Sequence, residues 1–138
     1  MMIPYILSGD SHYDFRGNLY YNNSFDASIV RRIYVIENNL GVTRRWQGHK
    51  IEQRWFTAIS GSFNIQLILV DNWNEPSINL SKIDFELSSK SLDVLHIPGG
   101  YLTSIEAVSD NSVLLVMSDY AFNEINDEYR FPEEYFKQ

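Results

Sequence analysis

Apolar and polar residues alternate along most of this chain with a period of two, in short runs separated by turn residues. Ile83 to Leu87 reads IDFEL, Phe63 to Val70 reads FNIQLILV, and Ile29 to Glu37 reads IVRRIYVIE, rich in β-branched and aromatic side chains. Residues 3 to 8 form a short apolar run suited to an edge strand, and the following SGDSHYDFRGN is turn-like. Leu19 to Tyr21, Trp55 to Ile59, Val94 to Ile97, Ser104 to Val108 and Val113 to Met117 complete the set of predicted strands. The links at Ser60-Gly61-Ser62 and Ser109-Asp110-Asn111 predict two hairpins. Only the tail, about Ala121 to Lys137, suits helical turns, with Pro132 opening the last one.

Strands at roughly 8–12-residue spacing, with no long amphipathic segment to serve as a crossover, predict an all-β jelly roll with a short helical C-terminal tail. At 138 residues a single domain spanning 1–138 is expected, and no Pro-, Gly- or Ser-rich linker divides it. The hydrophobic fraction of 44% and aromatic fraction of 14% are ample for a packed interior.

Charge narrows the function. A net charge of −7 argues against nucleic acid as the main partner, because phosphate binding needs a cationic surface. Any anion site must be a local basic pocket. The absence of cysteine removes disulfides and thiolate ligands. The N-terminus lacks a basic segment followed by a long apolar run, and no stretch reaches the ~20 apolar residues of a membrane span, so a cytoplasmic protein without membrane association is expected. No G-x-S-x-G, phosphate-binding glycine loop or Ser-His-Asp pattern points to a hydrolase.

The candidate chemistry concentrates between Gly41 and Gly61, GVTRRWQGHKIEQRWFTAISG. On a half-buried strand its polar face would carry Arg44, Gln47 or Gly48, His49 and Arg54. Two guanidiniums beside an imidazole suit an anionic, oxygen-rich ligand.

Gly41-x5-Gln47-x-His49-x3-Gln53 followed by Gly61, then Pro98-Gly99-Gly100, resembles the two-part motif of the cupins, whose first half usually reads G-x5-H-x-H-x3-E. More narrowly, Asp14-Phe15-Arg16-Gly17, Arg44 to Lys50, Ser118-Asp119-Tyr120 and Asp127-Glu128-Tyr129-Arg130 resemble the D-x-R-G, R-G-F-H-A-H-K and S-D-Y…D-Y-I-R segments of nucleotide-sugar 3,4-ketoisomerases. Those enzymes are similar in turn to the dTDP-4-keto-6-deoxyglucose 3,5-epimerases. The resemblance implies a metal-independent isomerase or epimerase acting on a dTDP-4-keto-6-deoxyhexose in deoxysugar and surface-polysaccharide assembly.

By position, the first cupin histidine is Gln47, the carboxylate is Gln53 and the second-motif histidine is Thr103, so only His49 survives. One imidazole with amides is a poor ligand set for a transition metal, and neither metal nor other cofactor is expected. The reaction implied by the resemblance needs a base near neutral pKa, a carbonyl-polarising donor and cations for the pyrophosphate. His49 is the candidate base. Gln47, which cannot shuttle protons, orients a hydroxyl or the enediol. Tyr34 is a hydrogen-bond donor or a core aromatic. Arg44 is a carbonyl or phosphate contact, and Arg54 falls where the epimerases place a lysine. Trp46 stacks on base or sugar, or packs, and the same choice holds for Tyr101 after Pro-Gly-Gly. His96 is expected to be buried and satisfied. The alternative reading is a non-catalytic sugar-nucleotide-binding cupin that has lost its proton shuttle. A homodimer is expected, since jelly rolls of this size leave sheet edges to cover.

Overall fold

A computed structural model describes residues 2–137. Twelve strands are present: β1 (Tyr5–Leu7), β2 (Asp10–Asp14), β3 (Gly17–Tyr21), β4 (Arg32–Glu37), β5 (Thr43–His49), β6 (Arg54–Ser60), β7 (Ser62–Leu69), β8 (Lys82–Ser88), β9 (Val94–Ile97), β10 (Tyr101–Ala107), β11 (Val113–Ser118) and β12 (Glu128–Arg130). Two five-stranded antiparallel sheets, in the orders β1-β9-β6-β11-β4 and β12-β5-β10-β7-β8, face each other, and β2-β3 is a separate hairpin. Period-two alternation sends one side of the strands of the two large sheets into the space between them. There Phe56, Phe63, Ile65, Leu67, Leu95, Leu114 and Val116 form the main core.

Each sheet is also covered on its outside. Trp46, Ile68 and Leu102 meet Phe131, Tyr135 and Phe136 of the tail, while Trp55, Val94 and Met117 meet Phe25 and Val30 of the 22–31 segment. This outer cover explains why several strands are apolar on both faces. No helix of the described residues is long and apolar enough to cross a membrane.

Three expectations need correction. The tail is not helical: Glu128–Arg130 adds an antiparallel edge strand to β5, and a single 3₁₀ turn at Glu133–Tyr135 follows Pro132. Its aromatic residues, placed to bury against a flat sheet, hold it there. The two glycine- and asparagine-bearing links are not hairpins. β6 and β11 lie in one sheet and β7 and β10 in the other, so both turns are corners where the chain changes sheets. Short-range turn chemistry does not distinguish the two outcomes. Conversely, Asp10–Asp14, read as turn, pairs with β3 in a true hairpin closed by Arg16 and by Gly17 at a φ of 127°.

Candidate active site

A cavity of about 520 Å³ opens between the sheets where β4, β5, β6 and β10 leave the core unfilled. Its position follows from β5. Strict alternation would put Arg44, Trp46 and Gly48 on one face. The register against β10 instead jumps, with Gln47 opposite Thr103 and Arg45 opposite Ser104, so that Trp46 is bulged. Arg44, Gln47 and His49 thereby share the inner face and line the cavity, whereas Trp46 turns outward, 2% exposed, edge-on to Phe136 at 5.7 Å between ring centroids. Gly48 is required here, because a Cβ would sit 2.1 Å from the Tyr101 carbonyl oxygen.

From the facing sheet, Tyr34 of β4 and Arg54 of β6 also line the cavity. Tyr101, 3% exposed, belongs to the core and not to the cavity wall, and burial pushes its phenol pKa up. Of the seven residues singled out by sequence, five therefore meet in one cavity, and Trp46 and Tyr101 lie outside it.

The floor is a buried polar chain. His49 Nδ1 lies 3.0 Å from the Asp127 carbonyl oxygen and 3.7 Å from Glu52 Oε2. Glu52 is ion-paired to Arg54, whose guanidinium also donates to the Tyr34 hydroxyl. A backbone carbonyl can only accept, so Nδ1 carries the proton and Nε2 is left with its lone pair. Burial and the nearby Arg54 charge lower the His49 pKa below its usual 6.5, against the opposing pull of Glu52 and Asp127. At neutral pH the ring is therefore an uncharged base.

Position-by-position reading put the carboxylate at Gln53, but Gln53 faces away, donating through Nε2 to Asp119 Oδ2 at 3.1 Å and meeting His96 at 2.7 Å. Glu52, one residue earlier, supplies the buried carboxylate. The acidic spacing H-x-x-E after Gly48 was the available signal. Asp127 was seen only as part of a motif. Its carboxylate accepts from the backbone N–H of Lys50, Ile51 and Glu52 at 3.1, 2.8 and 2.8 Å, and so ties the turn after His49 to the segment roofing the cavity.

The cations differ in availability. Arg54, 7% exposed, is committed to Glu52, and Arg130 to Glu128 at 2.7 Å. Arg44 donates to the neutral Asn38 Oδ1 at 2.7 Å. Arg32, which sequence reading passed over, lies between the rings of Tyr34 and Phe122, 4.8 and 5.1 Å from their centroids, and has no acidic partner among the described residues. Thus Arg44 and Arg32 hold the charge open to an anion. Gln47 Nε2 donates to Glu128 Oε1 at 2.7 Å, and since a carboxylate only accepts, the amide orientation is fixed. Among the described residues no group of three His, Asp or Glu side chains is placed to hold a metal ion.

Comparison with known proteins gives the family. The family model described as FdtA: WxcM-like, C-terminal, matches residues 6–138. The chain belongs to that family. No curated protein matches it in sequence. Among solved structures, this WxcM-like chain is similar to a mutant of the 3,4-ketoisomerase QdtA from Thermoanaerobacterium thermosaccharolyticum in complex with TDP-4-keto-6-deoxyglucose, at 22% identity and a TM-score of 0.70, covering 96% of this chain and 90% of that one. It is similar to a 3,4-ketoisomerase from Helicobacter canadensis at 23% identity and a TM-score of 0.71, covering 98% and 96%. It also matches the dTDP-4-dehydrorhamnose 3,5-epimerase from Sulfolobus tokodaii at 14% identity and a TM-score of 0.76, covering 98% and 80%. The all-β cupin architecture of these sugar-nucleotide isomerases is the architecture of this chain.

Proposed function

We propose that this WxcM-like chain is a metal-independent sugar-nucleotide ketoisomerase or epimerase acting on a dTDP-4-keto-6-deoxyhexose. The observation that carries the reading is the His49 imidazole, uncharged, with Nδ1 tied to a carbonyl and Nε2 left as base, beside the Arg54–Tyr34 pair. Proton transfer next to a ketone uses these parts. His49 Nε2 takes the C3 proton as the C–H pair becomes the enediol double bond, and Tyr34 gives its proton to O4. Tyr34, accepting from Arg54, is free to donate, and the guanidinium stabilises the phenolate left behind. For ketoisomerisation the phenolate then takes the O3 proton while His49 returns its own to C4. For epimerisation the phenolate takes back the O4 proton while water delivers a proton to C3 from the opposite face, and His49 loses its own to solvent. Arg44 and Arg32 hold the pyrophosphate, and Gln47 orients a hydroxyl.

The family membership, and the activities named for the QdtA and Helicobacter relatives, support the substrate class. We extend the reading to a homodimer serving deoxysugar assembly. Its support is the free outer edge of β1 and the exposed Tyr13, Phe15 and Leu19 of the β2-β3 hairpin.

A second reading, a sugar-nucleotide binder without turnover, is favoured by one feature: Gln47 stands where the ketoisomerases carry a histidine, and Glu128 locks it. Incubation with dTDP-4-keto-6-deoxyglucose, followed by proton NMR and by thermal shift with dTDP, separates the two. New sugar signals support the enzyme. A thermal shift without product supports the binder, and neither effect removes both.

A further inference from the structure

Outside the cavity lies a buried histidine that the proposed reaction does not use. His96 of β9 is 3% exposed, stacked on Trp55 of β6 and met edge-on by Tyr5 of β1, both at 5.2 Å between centroids. Its hydrogen-bonding state is fixed by a chain of necessity. Asp119 only accepts, so it receives the Gln53 amide N–H; the Gln53 oxygen then faces His96 and must accept from Nε2, at 2.7 Å. Nδ1 is left as a bare lone pair, buried and without a partner.

The groups around it offer a second proton nothing to bond. Trp55 and Gln53 are neutral, and Tyr5 is the titratable side chain that β1 brings. Asp119, on the segment after β11, contributes the one charge acting on the ring, and although it favours protonation, burial outweighs it and lowers the His96 pKa below 6.5. A proton on Nδ1 needs an acceptor, and lifting Tyr5, which lies edge-on against the ring, would admit water as one.

Within one chain, the strand that carries Tyr5 is held by few hydrogen bonds and by Ile6 and Leu7, half-buried against the core. β1 has three residues paired to β9, with Tyr5 opposite His96. Beyond that pairing, the Gly9 N–H donates to Asp93 at 2.9 Å and the Asn22 amide to the Leu7 carbonyl at 2.9 Å. Short, edge-placed elements of this kind open at much lower free energy than the body of a domain.

We propose that His96 is an acid-sensitive joint: protonation at Nδ1 undocks β1, and with it the β2-β3 hairpin, while the two sheets stay folded. The inference does not depend on the reaction assigned to the cavity. Opening is linked to uptake of one proton, so between pH 6.5 and the folded pKa each unit of acidification raises the open fraction up to tenfold.

Hydrogen exchange read by mass spectrometry tests this in the full chain, with rates divided by the intrinsic rate at each pH. From pH 7.5 to 5.0 the amides of residues 5–9 lose at least tenfold in protection, while β4, β7 and β11 change less than twofold. His96→Asn keeps a donor toward Gln53 but cannot titrate, and abolishes the pH response; His96→Phe, which keeps a flat ring on Trp55, is the second variant. A flat wild-type profile, a loss shared equally by β4 and β11, or an unchanged response in a folded variant overturns the proposal. Should both variants misfold, the wild-type profile decides: a loss that includes residues 5–9 and stays within 5–21 supports the joint, and any other pattern defeats it.

Discussion

Replacing Asp127 by alanine removes the acceptor for three backbone amides at once. The carboxylate is 5% exposed and receives the N–H groups of Lys50, Ile51 and Glu52, at 3.1, 2.8 and 2.8 Å. Lys50 and Ile51 lie at the surface and their N–H groups find water, but Glu52 is buried. Leaving a buried donor unsatisfied costs roughly 1–3 kcal/mol, and bonds to a charged acceptor lie toward the upper part of that range. One such donor gives about 2–3 kcal/mol for Asp127→Ala. Against a total stability of roughly 5–15 kcal/mol, this is a large fraction. With about 3–5 °C of Tm per kcal/mol for a chain of this size, the midpoint falls by about 6–15 °C. Urea titration followed by tryptophan fluorescence measures the loss directly, and the unchanged slope of the transition checks that the native state stayed compact. Asp127→Asn, which keeps one acceptor oxygen but turns an N–H₂ toward these donors, falls between wild type and alanine. A loss below 1 kcal/mol for the alanine variant refutes the idea that this carboxylate ties the turn after His49 to the cavity roof.

Other outcomes follow from the same geometry. Glu52→Gln strips the buried Arg54 of its counter-charge and costs about 3–5 kcal/mol, whereas the double change Glu52→Gln with Arg54→Met recovers most of it, in a thermodynamic cycle. Trp46→Ala empties a fully buried site on the outer face of β5 and costs about 3–5 kcal/mol, yet leaves dTDP affinity of the folded protein unchanged within twofold by calorimetry. Arg44→Ala weakens dTDP binding at least tenfold and flattens its salt dependence, because an unneutralised guanidinium at the cavity mouth is lost. The folded pKa values of His49 and His96 lie below the unfolded 6.5, so their contribution to stability is whole above that pH and lost as pH falls through the folded values. Urea midpoints therefore decline below pH 6.5, by up to about 1.4 kcal/mol per pH unit for each histidine, and His96→Asn removes one share.

The all-β architecture was legible because period-two alternation and turn spacing are local signals. Sheet membership was not. Ser60-Gly61-Ser62 has the chemistry of a hairpin, yet β6 pairs with β9 and β11 in one sheet and β7 with β10 and β8 in the other, and no local signal in the turn distinguishes that outcome. The helical reading of the tail, about Ala121 to Lys137, failed because an edge position beside β5 and an apolar outer wall hold Tyr129, Phe131 and Phe136 extended, and neither is visible in the local pattern. In the site, Arg44, Gln47 or Gly48, and His49 were grouped as one polar strand face and again by motif resemblance, and the bulge that makes the grouping real at Trp46 has no signature in the residue pattern. Glu52 was hidden by the assumption that spacing transfers residue for residue; the turn at 50–53, pinned by Asp119 and Asp127, rotates Gln53 away and brings its neighbour in. Arg32 escaped because a cation stacked between rings looks, in sequence, like any arginine on a strand.

The central claim is that the Nε2 of an uncharged His49 removes a proton from a carbon beside a sugar ketone. Incubation of the protein with dTDP-4-keto-6-deoxyglucose in heavy water, followed by NMR at C3, measures that step even where no net product accumulates. The account predicts deuterium at C3 with wild-type protein and at least a hundredfold slower incorporation with folded His49→Ala. Equal incorporation by the two proteins contradicts it.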